Sequence, residues 1–403
     1  MNFDGKGIST YILLALIPLG VIGETCAISC VLLKNKWNNV DLSLFLGIIL
    51  LTHFLLTGIW NEYPIWKTLQ QIILLMFYFV SYSTFFKKKC YDVDGIWSKY
   101  LRICIFFSFL SWIQLFVYWY SGNDIFLWPG RNFTGNGYFL RLHSYFEEPG
   151  YYAAFLAPYI VYYVQNIKCL KENKINFLSV LLTFMLSMSS ISFVIILMTI
   201  LYKVYKSKYS KLIFLFFTIP IIFELENYLN NSAEFQKESS SFQQSVSKIT
   251  ESVSSFSDFN PASFELLNAS TYATMTNLWV AVNAPNRILG NGVGSHVHSY
   301  ETLYKSDYVF YGLNKADAFS LFTRLFSEFG ILGLLGFACF LLYFFNGRSY
   351  INVAAFFFII ACLIRGGHYT YNGCFFFFFV FVISSSRIKR INGVREKYLN
   401  NDC

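Results

Sequence analysis

Long apolar stretches dominate this sequence, and they restrict the possible fold more than any other feature. We identify eleven of them, each close to the length of a bilayer-spanning helix or a shortened one, about 17–25 residues for a full span. They cover residues 9–33, 41–60, 64–86, 100–120, 149–166, 175–188, 190–202, 212–229, 317–346, 350–364 and 369–386. With 55% of residues hydrophobic and 13% charged, the chain has more apolar surface than a soluble core can bury. The sequence therefore predicts an all-α polytopic integral membrane protein.

The apolar run over residues 175–202 admits two interpretations. A polar patch at Met188, Ser189 and Ser190 interrupts it, which predicts two short helices joined by a tight turn. One long tilted helix is the alternative. Two helices keep the basic segment 203–211 on the same side as the other basic segments, whereas one helix would move it to the opposite side. The positive-inside rule therefore favours two.

The distribution of basic residues also predicts the orientation. With the C-terminus inside, the inner segments hold 19 Lys and Arg residues and the short outer segments hold 5. This asymmetry is typical of polytopic membrane proteins, whose cytoplasmic loops are enriched in Lys and Arg. We therefore predict about eleven transmembrane helices, with the N-terminus outside and the C-terminus in the cytoplasm.

This topology divides the chain into four parts. Residues 1–229 form helices one to eight with a smaller outer loop at 121–148, residues 230–316 form one large outer loop, residues 317–386 form helices nine to eleven, and residues 387–403 form a basic tail. A loop as long as the second part usually serves a function. Over residues 224–316 it has nine acidic and five basic residues, so a nucleic-acid partner is not expected.

Charged residues cluster at the start of the fifth predicted helix. Arg141, His143, Glu147 and Glu148 precede Pro149, and proline after carboxylates is a signal for a helix N-terminus. In a purely structural interpretation, the carboxylates complement the helix dipole and the arginine lies among lipid headgroups. In a functional one, the arginine binds phosphate oxygens on the outer face and His143 or Glu148 handles a proton.

A second cluster follows the large loop. Arg324 and Glu328 are four residues apart and share one helix face. Charges inside a membrane are costly, so a functional site is the default hypothesis, and a structural ion pair is the alternative. The row Gly330, Gly333 and Gly336 predicts the close approach of another helix.

Further cations and histidines occur on the same predicted side. Arg365 opens the sequence Arg-Gly-Gly-His before the last helix, and Arg287 lies in the large loop. His296 and His298 lack an evident third metal ligand. We therefore expect both histidines to be surface imidazoles and expect no metal site.

The chain resembles the bacterial O-antigen (Wzy-type) polymerases, which are related in architecture to O-antigen ligases. Four elements carry the resemblance, in this order: Arg141 to Pro149 before a helix, the Leu186–Ser190 turn, the Leu289–Gly294 turn late in the large loop, and Arg324 to Gly333 after it. Related ligases commonly have His-Asn nine residues before the glutamate of the last element. Here that position reads Phe319-Ser320, which favours a polymerase.

The resemblance implies a GT-C-like fold in the bacterial inner membrane, with the large loop and the N-terminus in the periplasm. It implies transfer of a growing chain from undecaprenyl pyrophosphate onto a new lipid-linked oligosaccharide, without a cofactor. Arg141, Arg324 and Arg365 would bind the diphosphate, with Arg287 as a fourth cation. Glu148 or His143 would activate the acceptor hydroxyl, and Glu328 is a third candidate catalytic group.

Partners and competing functions follow from the same resemblance. The expected partners are the lipid-linked oligosaccharide, the bilayer and a chain-length regulator protein. The competing functions are an O-antigen ligase acting on lipid A core, a polysaccharide flippase or transporter, and a non-enzymatic membrane scaffold.

Overall fold

The computed structural model describes residues 5–19, 24–29, 39–57, 63, 65–88, 92–126, 140–206, 259–370 and 373–385. Within these ranges the chain forms helices and no strands. The α-helices are α1 (Gly5–Leu16), α2 (Val40–Leu56), α3 (Ile65–Lys88), α4 (Val93–Ser121), α5 (Pro149–Gln165), α6 (Ile167–Glu172), α7 (Lys174–Leu186), α8 (Ser190–Tyr205), α9 (Pro261–Phe264), α10 (Ala269–Asn283), α11 (His296–Leu303), α12 (Leu321–Phe344), α13 (Tyr350–Ile364) and α14 (Cys374–Ile383). Residues 24–29 are also helical. The predicted helix at 212–229 lies outside the described residues.

Within the described ranges, three helical segments are long and apolar enough to cross a membrane: Ile65–Lys87 within α3, α4, and α12. The same ranges contain shorter apolar helices, among them α2, α7, α8, α13 and α14. An all-helical architecture with apolar helices of this length is that of an α-helical membrane protein.

The 175–202 run forms two helices, α7 and α8, so the prediction of a helix pair is confirmed and one continuous helix is wrong. Met188 adopts a positive φ of 46° in the turn between them. The Ser187 hydroxyl donates to the Phe184 carbonyl at 2.7 Å and bonds the Ser192 hydroxyl at 2.9 Å. These side chains satisfy backbone carbonyls that a helix end would otherwise leave unpaired.

Helix α5 is the centre of the bundle. It begins at Pro149, as the sequence predicts, with Glu148 in an extended conformation at the N-cap. Nearly all its side chains are buried, and it packs against α13, α8 and α7. A helix that is apolar all round is expected to be buried on every face, and burial of α5 places Glu148 at the end of a rigid element.

The described part of the large loop has a small core of its own. Phe264, Tyr272, Met275, Val280, Tyr300 and Tyr304 are buried together. Helices α10 and α11 pack against α12. The loop is therefore attached to the helix that carries Arg324 and Glu328.

Helix α12 is broken at Gly330, which has φ 66° and ψ −163°. Only glycine adopts this region readily, because a Cβ clashes with the backbone there. A Cβ on Gly330 would also lie 2.3 Å from the Ile288 carbonyl oxygen. At Gly330 the prediction of a close helix is therefore wrong, because this residue receives a turn of the large loop. Among the described residues, nothing lies within 4 Å of a Cβ at Gly336.

The turn at residues 287–292 supplies the hydrogen bonds that the break removes. The amides of Asn291 and Gly292 donate to the carbonyls of Ser327 and Glu328 at 3.1 and 2.9 Å. In return, the amides of residues 331 and 332 donate to the carbonyls of residues 287 and 288 at 2.9 and 3.2 Å. Backbone groups at a broken helix need such partners, because unpaired ones are costly in an apolar environment.

Candidate functional site

The segment 365–369, between α13 and α14, connects the two charged clusters. The Arg365 guanidinium donates to Glu148 Oε2 at 3.3 Å, at the start of α5. Arg324 Nη1 donates to the Gly367 carbonyl at 3.4 Å, and the Tyr369 hydroxyl donates to Glu328 Oε2 at 2.7 Å. Groups separated by up to 217 residues in sequence therefore meet at one site.

Arg324 and Glu328 form a buried ion pair. Arg324 Nε donates to Glu328 Oε1 at 3.0 Å, and the two side chains are only 3% and 1% exposed. The Arg324 guanidinium also lies 4.3 Å from the centre of the Tyr369 ring. Burying two charges is expensive unless further hydrogen bonds satisfy them. The bonds to Gly367 and Tyr369 do so, and they couple the pair to the 365–369 segment.

Arg141, Arg365 and Glu148 form the more accessible part of the site. Arg141 Nε donates to the Ser187 carbonyl at 3.4 Å, in the α7–α8 turn. Burial and the like charge of Arg365 lower the pKa of Arg141 to about 10, although Glu148 raises it. The side chains of Arg365 and Glu148 remain 26% and 22% exposed. Two guanidinium groups held beside one carboxylate are placed to donate paired hydrogen bonds to an anionic ligand.

A strained turn at Ala318 and Phe319 lies next to Arg365. Ala318 and Phe319 both have positive φ angles, 57° and 62°, which non-glycine residues adopt at a cost. The Phe319 carbonyl accepts from Gly366 N at 2.9 Å, and its ring centre lies 5.7 Å from the Arg365 guanidinium. The Phe319-Ser320 position thus lies next to Arg365.

Asp317 stabilises this turn. Its Oδ1 accepts from Phe319 N at 3.2 Å. Burial raises the pKa of Asp317, against the lowering effects of the Phe319 amide and of Arg324. Sequence reasoning missed Asp317, although a carboxylate at the very start of a predicted apolar span was a visible signal. It also missed Tyr369, which resembled any other aromatic residue of the span 369–386.

His143 is fully buried, and both of its ring nitrogens are occupied. Nδ1 bonds the Phe146 carbonyl and Nε2 bonds Asp124 Oδ2, each at 2.8 Å. Burial acts to raise the pKa of Asp124, but hydrogen bonds from His143 and Gln114 lower it overall. Both ring nitrogens are thus engaged by groups of the protein itself, and neither faces a substrate.

Arg287 and His296 are two further candidates from the sequence. The Arg287 side chain is exposed, and among the described residues no hydrogen bond or ion pair of its guanidinium is found. The expectation that His296 is a surface imidazole is wrong, since it is 2% exposed. Its Nδ1 and Nε2 bond Ser327 Oγ and Asn277 Oδ1, both at 2.9 Å, while burial and then Arg324 lower its pKa to about 3. Neutral His296 therefore joins the large loop to α12 next to Glu328.

Comparison of the chain with protein-family models, with curated proteins and with solved structures finds no match. Within the described residues, no group of three or more His, Cys, Asp and Glu side chains is arranged to hold a metal ion.

Proposed function

We propose that the protein is a membrane glycosyltransferase that polymerises lipid-linked oligosaccharide repeat units, as O-antigen polymerases do. The observation that carries the proposal is the joining of the two charged clusters by the 365–369 segment. It brings three arginines and two glutamates from three separate parts of the chain to the ends of apolar helices. A lipid-linked diphosphate needs such a site, because its anionic headgroup stays at the membrane surface while its lipid stays in the bilayer.

Arg141 and Arg365 are the groups that bind the diphosphate in this proposal. Their planar guanidinium groups donate paired hydrogen bonds to phosphate oxygens. The bond between the sugar C1 and the diphosphate oxygen breaks during transfer, so negative charge develops on the leaving diphosphate. Preorganised cations stabilise that charge in the transition state. Arg324 acts on the diphosphate-binding groups indirectly, through its contacts with Gly367 and Tyr369. Glu328 balances its charge.

Glu148 accepts the proton of the acceptor hydroxyl. The hydroxyl oxygen forms the new bond to C1 and its proton passes to the carboxylate. Glu148 is preferred over His143, whose two nitrogens already bond Phe146 and Asp124. Glu148 also lies at the rigid start of α5 and is bonded to Arg365. This would hold the base at a fixed distance from the groups that bind the leaving diphosphate.

The proposed topology follows the predicted one. The chain crosses the bacterial inner membrane about eleven times, with the 230–316 loop and the N-terminus in the periplasm and the C-terminus in the cytoplasm. The distribution of 19 basic residues in the inner segments and 5 in the short outer segments supports this. Undecaprenyl-linked repeat units would then reach the site from the periplasmic leaflet.

Deletion of the gene in its native bacterium tests the function. We expect lipopolysaccharide with a single repeat unit on the core, visible as one band above free core on a gel. Complementation with the wild-type gene should restore the ladder, and complementation with Glu148→Gln should not. Complete loss of O-antigen on a normal core would indicate a ligase or flippase. An unchanged ladder would contradict all three functions.

A further inference from the structure

A fully buried carboxylate lies outside the site described above. Glu24 is 0% exposed and belongs to the helical segment 24–29, within the first predicted span. One of its oxygens accepts from the Tyr82 hydroxyl on α3, and the other accepts from Gly373 N at 3.0 Å. Gly373 is the N-cap of α14. Glu24 therefore caps the start of a helix that is 349 residues away in sequence.

The same surroundings hold a second connection. The Thr25 and Tyr78 hydroxyls bond each other at 3.0 Å, and Tyr78 also interacts with the side chain of Thr370. The Thr370 hydroxyl in turn bonds His368 Nδ1 at 2.8 Å. Residues 24 and 25 thus hold the C-terminal end of the segment that carries Arg365 and Tyr369.

The opposite end of this segment is held by the strained turn. Phe319 O accepts from Gly366 N, and Arg324 donates to Gly367 O. Tyr369 lies between these two attachments, and its hydroxyl donates to Glu328 Oε2. A change at Glu24 would therefore alter the position of the Tyr369 hydroxyl without touching it.

Burying a carboxyl group to accept these two hydrogen bonds has a high desolvation cost. An ionised group away from water costs several kcal/mol unless it is well paired, and a neutral acceptor would cost less. A carboxyl group, however, offers two oxygens to accept from the Tyr82 hydroxyl and the Gly373 amide, whereas a Gln side chain offers one acceptor and one donor. Ionisable groups within membrane segments are functional candidates by default, and neither the proposed diphosphate site nor the acceptor base uses Glu24.

We propose that Glu24, with Tyr82, is a positioning residue that anchors the segment following Gly367, at Thr370 and Gly373, and so holds Tyr369 in the geometry needed for transfer. This inference rests on the proposed function for its effect on turnover. Its structural part, the anchoring of the segment, does not depend on which reaction the protein catalyses.

The test combines hydrogen exchange with activity, on the purified full-length protein. We expect Glu24→Gln to speed amide exchange in peptides covering residues 365–373, with other helices unchanged. Tyr82→Phe removes one donor and keeps the ring, so it should act in the same direction but less strongly. Ser29→Ala is the matched control, because its hydroxyl bonds the Thr25 carbonyl within the same helical segment, at 2.7 Å.

Turnover is measured in liposomes with lipid-linked repeat units as substrate. Glu24→Gln should lower kcat at least about tenfold, which is 1.4 kcal/mol in the barrier, with little change in KM. A positioning role also predicts that Glu24→Gln and Tyr369→Phe are not additive, because they disturb the same geometry.

Three results would overturn the inference. They are normal exchange and normal turnover in Glu24→Gln, loss of turnover with normal exchange in 365–373, and faster exchange throughout the protein. An inactive wild-type protein would instead contradict the proposed function, and the exchange measurement would then still decide whether Glu24 anchors the segment.

Discussion

At the scale of single residues, the function proposed for the site depends on guanidinium geometry. Arg141→Lys keeps one positive charge but loses the planar fork. A lipid-headgroup anchor tolerates this change, because both side chains extend to the interface. We expect a diphosphate-binding Arg141 not to tolerate it, with a loss of about 10²–10³ in rate, or roughly 3–4 kcal/mol. The measurement is the lipopolysaccharide ladder at equal membrane expression.

Arg348→Lys is the matched control for this prediction. Arg348 lies in the short turn before α13, on the predicted cytoplasmic side, and the ladder should be unchanged. A full ladder from Arg141→Lys as well would return Arg141 to the role of an interfacial anchor.

Variants of the buried Arg324–Glu328 pair distinguish a structural role from a functional one. Arg324→Ala leaves Glu328 buried without its partner, which should cost about 3–5 kcal/mol of folding stability. The double variant Arg324→Met with Glu328→Leu removes both charges. It should recover most of the thermal stability in detergent but none of the polymerisation. Recovery of the full ladder by the double variant would show that the pair is only structural.

At the scale of helices, Gly330 controls how α12 meets the large loop. Gly330→Ala introduces a Cβ 2.3 Å from the Ile288 carbonyl in a conformation with φ 66°. We expect a loss of at least about 3 kcal/mol, from backbone strain and the clash together. Thermal unfolding in detergent measures it.

Gly336→Ala is the control for Gly330→Ala. No described residue lies within 4 Å of the added Cβ at this helical position. We therefore expect folding stability to be unchanged or to rise by about 0.5–1 kcal/mol. Equal melting temperatures for the two variants would mean that the break at Gly330 does not form.

Helix positions were largely predictable from sequence, because local signals mark them. Pro149 marks the start of α5, and the polar patch around Ser189 separates α7 from α8. The break at Gly330 was not predictable, since Gly330, Gly333 and Gly336 look alike in sequence. The difference comes from the loop turn that packs against only one of them.

The site was predictable in part, for a different reason. Arginines and carboxylates in or near apolar spans are conspicuous, so Arg141, Glu148, Arg324 and Arg365 were found. Tyr369 and Glu24 act through contacts with residues far away in sequence, and no local pattern marks such contacts. His143 was conspicuous too, but its partner Asp124 is 19 residues away and decides its role.

At the scale of the whole molecule, we predict that the large loop lies in the periplasm. An alkaline phosphatase fusion after Leu266 should be active, because phosphatase folds only in the periplasm. A fusion after Lys206, at the end of α8, should be inactive. The expectation rests on the excess of basic residues in the segments assigned to the cytoplasm. Inverted activities would refute the topology.

The proposed function requires that this chain alone joins lipid-linked repeat units. The purified protein in liposomes is supplied with the undecaprenyl-pyrophosphate-linked repeat unit extracted from the deletion strain, and the products are analysed by mass spectrometry. We predict a series of products that differ by whole repeat units, with release of undecaprenyl pyrophosphate. Arg365→Lys should reduce the series to the dimer or less. Failure of the wild-type protein to extend the repeat unit, or transfer only onto added lipid A core, would contradict the account.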